Sequence, residues 1–453
     1  MDVGKIITFQ STKSSRMREQ LIKKIVQRTA RVAVIGLGYV GLPLAVEKAK
    51  AGFHVVGIER RKERVDKVNQ GKSYIPDVLD IDLKEVVYKK LLSATRSFEM
   101  IKDVDIVTIC VPTPLDKNKN PDTSYITHVV EQSLPYLHKG QLMVLESTSY
   151  PGTTEEIILP RIESQGFKVG QDFYLAFSPE RVDPGNRKYK IANTPKVVGG
   201  VTPNCTEVAK TLYEQVVKGR IHTVSSPKVA EMEKLFENIF RIVNISLVNE
   251  LAMLCERMGI DVWEVIEAAK TKPFGFMPFY PGPGLGGHCI PLDPFYLSWK
   301  AKEFDFTTRF IELAGEVNDS MPYYVMERAM ELLNAQGKPL KGAKVLLLGV
   351  AYKRDVDDTR ESPALKISKL LMGKGAAVSY HDPYILEVEI QGQRLRSVPL
   401  TPQVLSSQDL VIITTDHSNV DYRLVVEHAP LIYDTRNATV GIASPKIRRL
   451  GVG

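Results

Sequence analysis

Residues 31–41 read RVAVIGLGYVG, and this stretch predicts the fold around it. The β-branched run Arg31–Ile35 is typical of a buried strand. It ends in a turn with the pattern G-x-G-x-x-G and passes into Leu42–Ala51, a segment with helical character. A strand, this glycine pattern and a helix in succession predict a Rossmann-type dinucleotide-binding domain.

The three glycines of the turn have separate roles in such a domain. Gly36 permits the tight turn, Gly38 lets the backbone approach a pyrophosphate, and Gly41 lets the helix pack closely on the strand. The N-terminus of the helix favours the negative charge of that pyrophosphate. The residues of the turn that we expect to contact the cofactor are Gly36, Gly38, Tyr39, Val40 and Gly41.

Glu59 indicates which dinucleotide is bound. It follows the next predicted strand, His54–Ile58, and stands eighteen residues after Gly41. A carboxylate at this place accepts hydrogen bonds from the adenosine ribose hydroxyls and repels a 2′-phosphate, which favours NAD over NADP. Arg60 and Arg61 leave NADP open, because their charges would neutralise such a phosphate.

Three further apolar runs predict buried strands of a parallel sheet, namely Asp105–Val111, Gln141–Leu145 and Tyr174–Phe177. Ligands of open α/β sheets bind beyond the carboxyl ends of the strands. Polar residues shortly after these ends are therefore expected to face the cofactor or the substrate. They are Thr113, Thr148 and Glu180.

From about Lys228 to Gly259 the sequence follows one helical pattern with a broad apolar stripe. A helix this long exceeds the usual three or four turns, which indicates burial against other helices or against a partner subunit. Lys234 and Asn238 interrupt the stripe four residues apart, so they share one face. An ammonium and an amide in apolar surroundings need polar partners, which marks both as candidate site residues.

A second α/β unit begins at Lys344. The turn after its first strand lacks the glycine triplet, so no second dinucleotide is predicted there. Apolar runs at Ala377–Tyr380, Leu410–Thr414 and Pro430–Asp434 complete a second parallel sheet. Basic residues near the predicted strand ends would suit a diphosphate, since their N–H donors complement phosphate oxygens. They are Lys353, Arg354, Arg360 and Arg436.

The segment Pro281–Pro294, PGPGLGGHCIPLDP, places Cys289 in backbone rich in glycine and proline. Gly286 and Gly287 allow positive φ values and close approach of a ligand. A histidine beside the thiol and Asp293 four residues on are the surroundings of a reactive thiolate. The other three cysteines are predicted to be small buried hydrophobes.

Composition limits the class of protein. With 453 residues, 43% hydrophobic and 25% charged, the chain is typical of a soluble globular protein of two or three domains. A net charge of +7 is too mild and dispersed to indicate nucleic acid binding. Four cysteines without zinc spacing indicate a reducing compartment, the cytoplasm, and no metal. No apolar run is expected to approach the ~20 residues of a membrane helix, so no membrane contact is predicted.

Taken together, these stretches resemble the UDP-glucose/GDP-mannose dehydrogenase family, and most closely its branch that oxidises UDP-N-acetylglucosamine at carbon 6 to the uronic acid. The resemblance spans nearly the whole chain. It implies an NAD-dependent enzyme with a UDP-sugar substrate, a homodimer or higher homo-oligomer, and a role in capsule or O-antigen synthesis. The motifs that carry it are GLGYVGLPLA, CVPTPL, LESTSYPGTTEE, SPER, AEMEKLFEN, PGPGLGGHCIPLDPFYL and AYKRDVDDTRESP.

The resemblance also implies roles for single residues. The catalytic set contains a nucleophile, two residues that hold the oxyanion, an acid/base group for hydrolysis and two residues that position water. In that order they are Cys289, then Lys234 and Asn238, then Glu180, then Thr148 and Asp293. The substrate set, whose last two members would contact the UDP part, comprises Glu180, Arg181, Lys234, Asn238, Gly286, Gly287, Lys353 and Arg436.

The implied chemistry explains why a thiol is needed. A primary alcohol must lose two hydrides to become an acid, and the aldehyde formed midway must not escape. A thiolate retains the aldehyde as a thiohemiacetal, and loss of the second hydride leaves a thioester that water cleaves.

One departure from the family bears on the substrate. Relatives that oxidise UDP-glucose commonly read P-E-F-L-x-E-G, whereas Glu180 is followed here by RVDPG. The missing second glutamate counts against UDP-glucose and fits an N-acetylhexosamine. UDP-N-acetylmannosamine and UDP-N-acetylgalactosamine remain open as substrates, and so do an NAD-dependent epimerase and an inactive nucleotide-sugar-binding protein.

We therefore predict an α/β fold with two Rossmann-like, doubly wound parallel-sheet domains joined by a long central helix and a helical middle domain. The active site is expected in the cleft between the two α/β domains. The predicted divisions are an N-terminal helical extension (1–29), an NAD-binding domain (30–215), a central helical and dimerisation domain with the cysteine loop (216–325), and a UDP-sugar-binding domain (326–453).

Overall fold

The computed structural model describes residues 3–116, 120–183, 186, 188–287 and 290–453, and of residues 3–13 only the backbone. The chain divides into two compact units. The first unit comprises the chain up to Glu237 together with Trp299–Phe304, and the second comprises Asn238–Ser298 and Asp305–Gly453. The division falls inside one long helix, so each unit contains part of that helix.

The helices of the described residues vary from single turns to more than thirty residues. In chain order they are α1 Val3–Val26, α2 Gly41–Lys50, α3 Lys62–Asn69, α4 Asp80–Tyr88, α5 Ser124–Ser133, α6 Leu159–Ser164, α7 Pro203–Val216, α8 Pro227–Met258, α9 Val262–Lys270, α10 Asp293–Ala301, α11 Arg309–Ala335, α12 Pro363–Gly373, α13 Pro402–Ser406 and α14 Tyr422–His428. A π-helical stretch, Thr154–Ile158, leads into α6.

The strands are short, from three to five residues. In chain order they are β1 Arg31–Ile35, β2 His54–Ile58, β3 Leu92–Thr95, β4 Ile106–Ile109, β5 Leu142–Leu145, β6 Tyr174–Phe177, β7 Lys196–Gly200, β8 Ile221–Val224, β9 Lys344–Leu348, β10 Ala377–His381, β11 Glu387–Ile390, β12 Gln393–Arg396, β13 Leu410–Ile413, β14 Ile432–Asp434 and β15 Ile447–Arg449.

The first unit is built on an eight-stranded sheet with the order β3-β2-β1-β4-β5-β6-β7-β8. Neighbouring strands run parallel, except that β7 is antiparallel to β6. The central strands β1, β4, β5 and β6 bury nearly every residue, as expected for strands covered on both faces. The strand order reverses between β1 and β4, and this reversal is the place where such sheets bind ligands.

The second unit contains a five-stranded parallel sheet with the order β10-β9-β13-β14-β15. Its strands β9 and β13 pair in parallel, with Leu346 opposite Val411. Strands β11 and β12 form a separate antiparallel hairpin between β10 and α13. The two sheets confirm the predicted α/β class, whereas the reversed strand β7 and this hairpin were not foreseen.

The long helix α8 has 32 residues, as its sequence pattern predicts. Residues spaced three, four or seven apart on one side of α8 are apolar and exposed, and we call them the α8 stripe. They are Val229, Met232, Phe236, Phe240, Leu247, Leu254 and Met258.

Helix α8 corrects one expectation about membranes. By length and composition it is apolar enough to cross a bilayer, since an 18-residue window in it reaches a mean hydropathy of 1.3. The prediction that no run approaches this length was wrong. Polar side chains of this helix nevertheless bond inside the second unit: the Ser246 hydroxyl donates to the Ala314 carbonyl at 2.8 Å, and Asn249 accepts from the Gly282 N–H at 2.9 Å. Such bonds are typical of a helix packed within a folded unit.

Candidate active site

The glycine turn after β1 has the geometry that a dinucleotide needs. Gly36 has φ of +88°, and a Cβ there would lie 2.5 Å from the Cys110 carbonyl oxygen. A Cβ on Gly41 would lie 1.8 Å from the Gly36 carbonyl oxygen, so neither position admits a side chain. No described atom beyond its chain neighbours lies within 4 Å of a Cβ placed on Gly38, which leaves its backbone open to a ligand. Because α2 begins at Gly41, its N-terminal N–H groups and dipole fit a pyrophosphate.

The turn exposes Tyr39 and ends in Val40, the residue that precedes α2. Glu59 directly follows β2 and contacts the turn. Its buried carboxylate accepts from the Leu37 N–H at 3.2 Å and from the Arg61 N–H at 3.0 Å. A fixed anion at the end of β2 is the arrangement that accepts ribose hydroxyls and disfavours a 2′-phosphate.

Among the described residues, no ion pair joins Arg60 to Glu59. Its guanidinium lies over the ring of Tyr125, 5.9 Å from the ring centroid. Arg64 instead contacts Glu59, with 3.6 Å between Nη1 and Oε2, and lies over the ring of Tyr74. The residues present therefore fit NAD.

Thr113 and Thr148 follow neighbouring strands, as predicted, and the structure joins them. The Thr113 hydroxyl donates to the Thr148 carbonyl at 2.7 Å. Beside them the Ser147 hydroxyl donates to the Val111 carbonyl at 2.8 Å. The loops after β4 and β5 are thus held together at the sheet edge where ligands bind.

Glu231 of α8 anchors the segment that follows Thr148, and sequence reasoning missed it. Its carboxylate accepts from the Gly152 N–H at 2.6 Å, from the Thr154 N–H at 2.9 Å and from the Thr154 hydroxyl at 2.7 Å. The side chain is fully buried, and this burial raises the pKa of Glu231 to about 7 against the opposing effect of those donors. The spacing A-E-x-x-K, which puts an acid three residues before Lys234, was the available signal.

Glu180 follows β6 and is held by several donors of the first unit. One carboxylate oxygen accepts from the Arg181 N–H at 2.7 Å and from the Val182 N–H at 2.9 Å. The other oxygen lies 3.4 Å from the ammonium of Lys196. Burial opposes the charge, but Lys196 and the two N–H groups hold the pKa of Glu180 below its usual value. The group is therefore a carboxylate at neutral pH, which is the form that accepts protons.

Arg181 was predicted to bind the substrate. In the structure its backbone serves Glu180, while its guanidinium donates to Glu237 on α8 and to the Pro195 carbonyl, the latter at 3.0 Å. Its side chain therefore ties the loop after β6 to α8.

Lys234 and Asn238 are both buried on α8, on the side of the helix away from the exposed α8 stripe. Within the second unit the Asn238 amide donates to the Asp293 carboxylate at 2.6 Å, and both side chains are buried. Asp293 begins α10, the helix that follows the cysteine loop. Asn238 and Asp293, which were chosen as candidate site residues for separate reasons, are thus in contact.

The backbone leading to Cys289 is fixed by contacts that the sequence did not reveal. Besides the bond from the Gly282 N–H to Asn249, the Leu285 N–H donates to the Asn318 side chain at 2.6 Å. The Gly287 N–H donates to the Arg360 carbonyl at 3.0 Å. Cys289 itself, with its neighbouring histidine, lies outside the described residues.

Gly286 and Gly287 have no room for side chains. A Cβ on Gly286 would lie 2.7 Å from the Cβ of Tyr352, and one on Gly287 would lie 2.8 Å from the ring of the same tyrosine. Gly287 also has φ of +87°. Glycine is therefore required at both positions by space, and at the second also by conformation.

The predicted basic residues of the second unit differ in their surroundings. Arg436 donates from Nε to the Thr414 carbonyl at 3.0 Å, and its guanidinium borders Gly282. Lys353 is half-buried in the loop after β9. Of the other two basic residues, Arg354 pairs with Asp416, and Arg360 pairs with Asp358 at 2.6 Å.

A buried His417–Asp382 pair shapes the loop that contains Lys353. The Asp382 carboxylate accepts from the Val350 N–H at 2.7 Å and lies 3.0 Å from Nε2 of His417. The Asp355 N–H donates to Nδ1 of the same histidine at 3.0 Å. These contacts fix the backbone before and after Lys353 in the chain, at Val350 and Asp355, and no local sequence pattern revealed them.

The described cysteines Cys110, Cys205 and Cys255 are free and buried, as predicted. Burial raises the pKa of the Cys110 thiol well above its usual value. Among the residues that the structure describes, no three His, Cys, Asp or Glu side chains are grouped as a metal ion would require.

Three models of one family match most of the chain. The family is the UDP-glucose/GDP-mannose dehydrogenase family; its NAD binding domain matches residues 30–217, its central domain residues 228–320 and its UDP binding domain residues 346–440.

Individual relatives match over similar lengths. A UDP-N-acetyl-D-glucosamine 6-dehydrogenase of Pseudomonas aeruginosa is 36% identical over 86% of this chain and 90% of its own. An NDP-N-acetyl-D-galactosaminuronic acid dehydrogenase of Ralstonia nicotianae is 38% identical over 85% of this chain and 90% of its own. The solved structure of a UDP-D-ManNAc dehydrogenase from Pyrococcus horikoshii is 35% identical, with a TM-score of 0.85 over 93% of this chain and 99% of that one.

Proposed function

Because the chain belongs to the UDP-glucose/GDP-mannose dehydrogenase family and is an NAD-dependent nucleotide-sugar dehydrogenase, we propose that it oxidises UDP-N-acetylglucosamine at carbon 6 to the uronic acid. The observation that carries this proposal is Glu180, an ionised carboxylate fixed by Lys196 and two backbone N–H groups after β6. A four-electron oxidation needs such a base to release its product, whereas an enzyme that only moves a hydride back and forth does not.

The alternatives for the sugar are UDP-N-acetylmannosamine, UDP-N-acetylgalactosamine and UDP-glucose. By their names, the relatives above are a UDP-N-acetyl-D-glucosamine, an NDP-N-acetyl-D-galactosaminuronic acid and a UDP-D-ManNAc dehydrogenase. Their similarity favours an N-acetylhexosamine without choosing among these sugars. The RVDPG sequence after Glu180, in place of the second glutamate of glucose-oxidising relatives, counts against UDP-glucose.

We propose the following roles for the site residues. Cys289 forms the thiohemiacetal and the thioester. Lys234 and Asn238 donate to the sugar oxygen as it acquires negative charge. Glu180 accepts the proton of the attacking water, and Thr148 and Asp293 help to position that water. NAD, when bound, accepts the hydride that leaves carbon 6 in each oxidation.

The first unit supplies the groups that hold the cofactor. The open backbone at Gly38 and the N-terminus of α2 would hold the pyrophosphate, and Glu59 would hold the adenosine ribose. In the second unit, Lys353 and Arg436 would hold the diphosphate of the substrate, and Gly286 and Gly287 would let the sugar approach the backbone.

We also propose a homodimer or higher homo-oligomer that forms through the α8 stripe. Seven large apolar side chains exposed along one side of a single helix are more than a monomer usually leaves in water. Free buried cysteines fit a reducing compartment, which supports the cytoplasm as the site of action. We keep the domain limits 1–29, 30–215, 216–325 and 326–453 as part of the proposal.

A panel of UDP-sugars assayed for NADH formation tests the function. We expect UDP-N-acetylglucosamine to yield two NADH per molecule of acid. An epimerase would give no net NADH, and an inactive binding protein would bind a UDP-sugar without turnover. The Cys289→Ser variant should still bind the UDP-sugar yet form no acid, and normal steady-state activity in that variant would refute the covalent route.

A further inference from the structure

A chain of charged side chains is buried beneath Glu180 in the first unit. The Lys196 ammonium donates to Glu146 at 2.7 Å and to the Pro179 carbonyl at 3.3 Å, and it lies 3.4 Å from Glu180. Lys196 and Glu146 are 4% and 1% exposed. A lysine this deeply buried normally serves to neutralise a specific charge, because its desolvation is costly.

Glu146 is held in turn by groups from other elements. The Tyr213 hydroxyl of α7 donates to Glu146 at 2.5 Å, and the Lys48 ammonium of α2 lies 4.0 Å from the same oxygen. Lys48 also donates to the Thr108 hydroxyl of β4 at 2.6 Å. The positions of Glu146 and Lys196 are thereby set by the sheet and by two helices that pack on it, and not by a mobile loop.

Among the described residues, the groups that most affect the charge of Glu180 come from several elements. Lys196 of β7 and Lys234 of α8 favour the carboxylate, as do the N–H groups of Arg181 and Val182. Glu146 lies on the far side of Lys196, where it pairs with that ammonium. Burial is the main opposing effect on the pKa of Glu180, and the favourable contacts outweigh it. Of these groups, Lys196 has the largest influence in favour of ionisation.

We propose that Lys196 is a positioning residue of the hydrolytic step: its ammonium keeps the Glu180 carboxylate ionised and aimed, and Glu146 keeps the ammonium in place. This inference rests on the proposed function. In that step water adds to the thioester carbonyl carbon, and Glu180 takes a proton from the water. The carbon–sulfur bond then breaks, and the electron pair leaves with the sulfur as the thiolate of Cys289.

The Lys196→Met variant tests the proposal through the pH profile of turnover. A cation within about 4–6 Å lowers a carboxyl pKa by about one to three units, so its removal should move the acid limb of kcat upward by about that amount. At a pH below the acid limbs of both wild type and variant, kcat of the variant should be lower than that of the wild type by roughly tenfold per unit of the shift. Above both limbs the two kcat values should agree. Enzyme quenched during turnover at the lower pH should carry more covalently bound sugar acid. Lys196→Arg keeps the charge and should restore the limb.

Matched variants separate this effect from damage to the fold. Lys139 is an exposed lysine of the same unit that pairs with Asp172 at 2.7 Å, and Lys139→Met should leave the limb unchanged. If Lys196→Met fails to fold, the double variant Lys196→Met with Glu146→Gln removes both charges of the Lys196–Glu146 pair and should show the same upward shift. A uniform loss of kcat at all pH values, with no movement of the limb, would overturn the positioning role. If the wild-type enzyme itself reduces no NAD with any UDP-sugar, the proposed function fails instead.

Discussion

Replacing Glu231 by alanine should destabilise the first unit by a pH-dependent amount. The change removes the acceptor of three hydrogen bonds and leaves the buried N–H groups of Gly152 and Thr154 without it. An unsatisfied buried donor costs about 1–3 kcal/mol, so the loss should be about 2–6 kcal/mol when Glu231 is protonated.

The sign of the pH dependence follows from the raised pKa of Glu231. Burial raises this pKa from 4.5 to about 7, so the folded state binds the proton more tightly than the unfolded state does. The associated stability is fully present below about pH 4.5 and is lost as the pH rises through 7. At about 1.4 kcal/mol per unit, the difference in unfolding free energy between wild type and Glu231→Ala should shrink by about 3.5 kcal/mol over that range.

Urea denaturation at several pH values measures both the loss of unfolding free energy in Glu231→Ala and the change of that loss with pH. Tryptophan fluorescence reports on the right region, because Trp299 packs on Tyr150 with ring centroids 5.1 Å apart in the same unit. Glu155→Ala is the control: Glu155 pairs with Lys228 at 3.0 Å near the surface, and its loss should cost no more than about 1 kcal/mol. If both variants lose the same small free energy at every pH, Glu231 does not anchor the loop as described.

Two further predictions concern α8. Asn238→Leu removes the bond to Asp293 and, in the proposed mechanism, a donor to the sugar oxygen, so kcat for NADH formation should fall by about 10²–10³. Asn244→Leu is its control, since that amide donates to the Phe240 carbonyl of the same helix, and near-equal activities of the two variants would contradict the role of Asn238. Phe236→Asp should shift the protein toward monomers in light scattering, because it places a charge on the α8 stripe. Tyr88→Asp alters a ring away from the stripe that is even more exposed than Phe236, and it should not change the mass. An unchanged mass for both variants would refute this interface.

Local sequence patterns determined much of this protein. The run RVAVIGLGYVG fixed the first strand, its turn and α2, because only glycine fits at Gly36 and Gly41. The apolar runs gave the buried parallel strands, and the 3.6-residue periodicity gave α8. The candidate residues Thr148, Glu180, Asn238 and Asp293 were recognised from strand ends, helix spacing and family motifs.

Tertiary structure alone decided which polar groups support those residues. Glu146 and Lys196 are fifty residues apart in sequence, and Glu231 meets Thr154 from another helix. No periodicity encodes such pairs, because each exists only after separate elements have packed and buried charges have been forced to find partners. The same reason explains the reversed strand β7, whose direction depends on how the chain returns to the sheet and not on its own five residues.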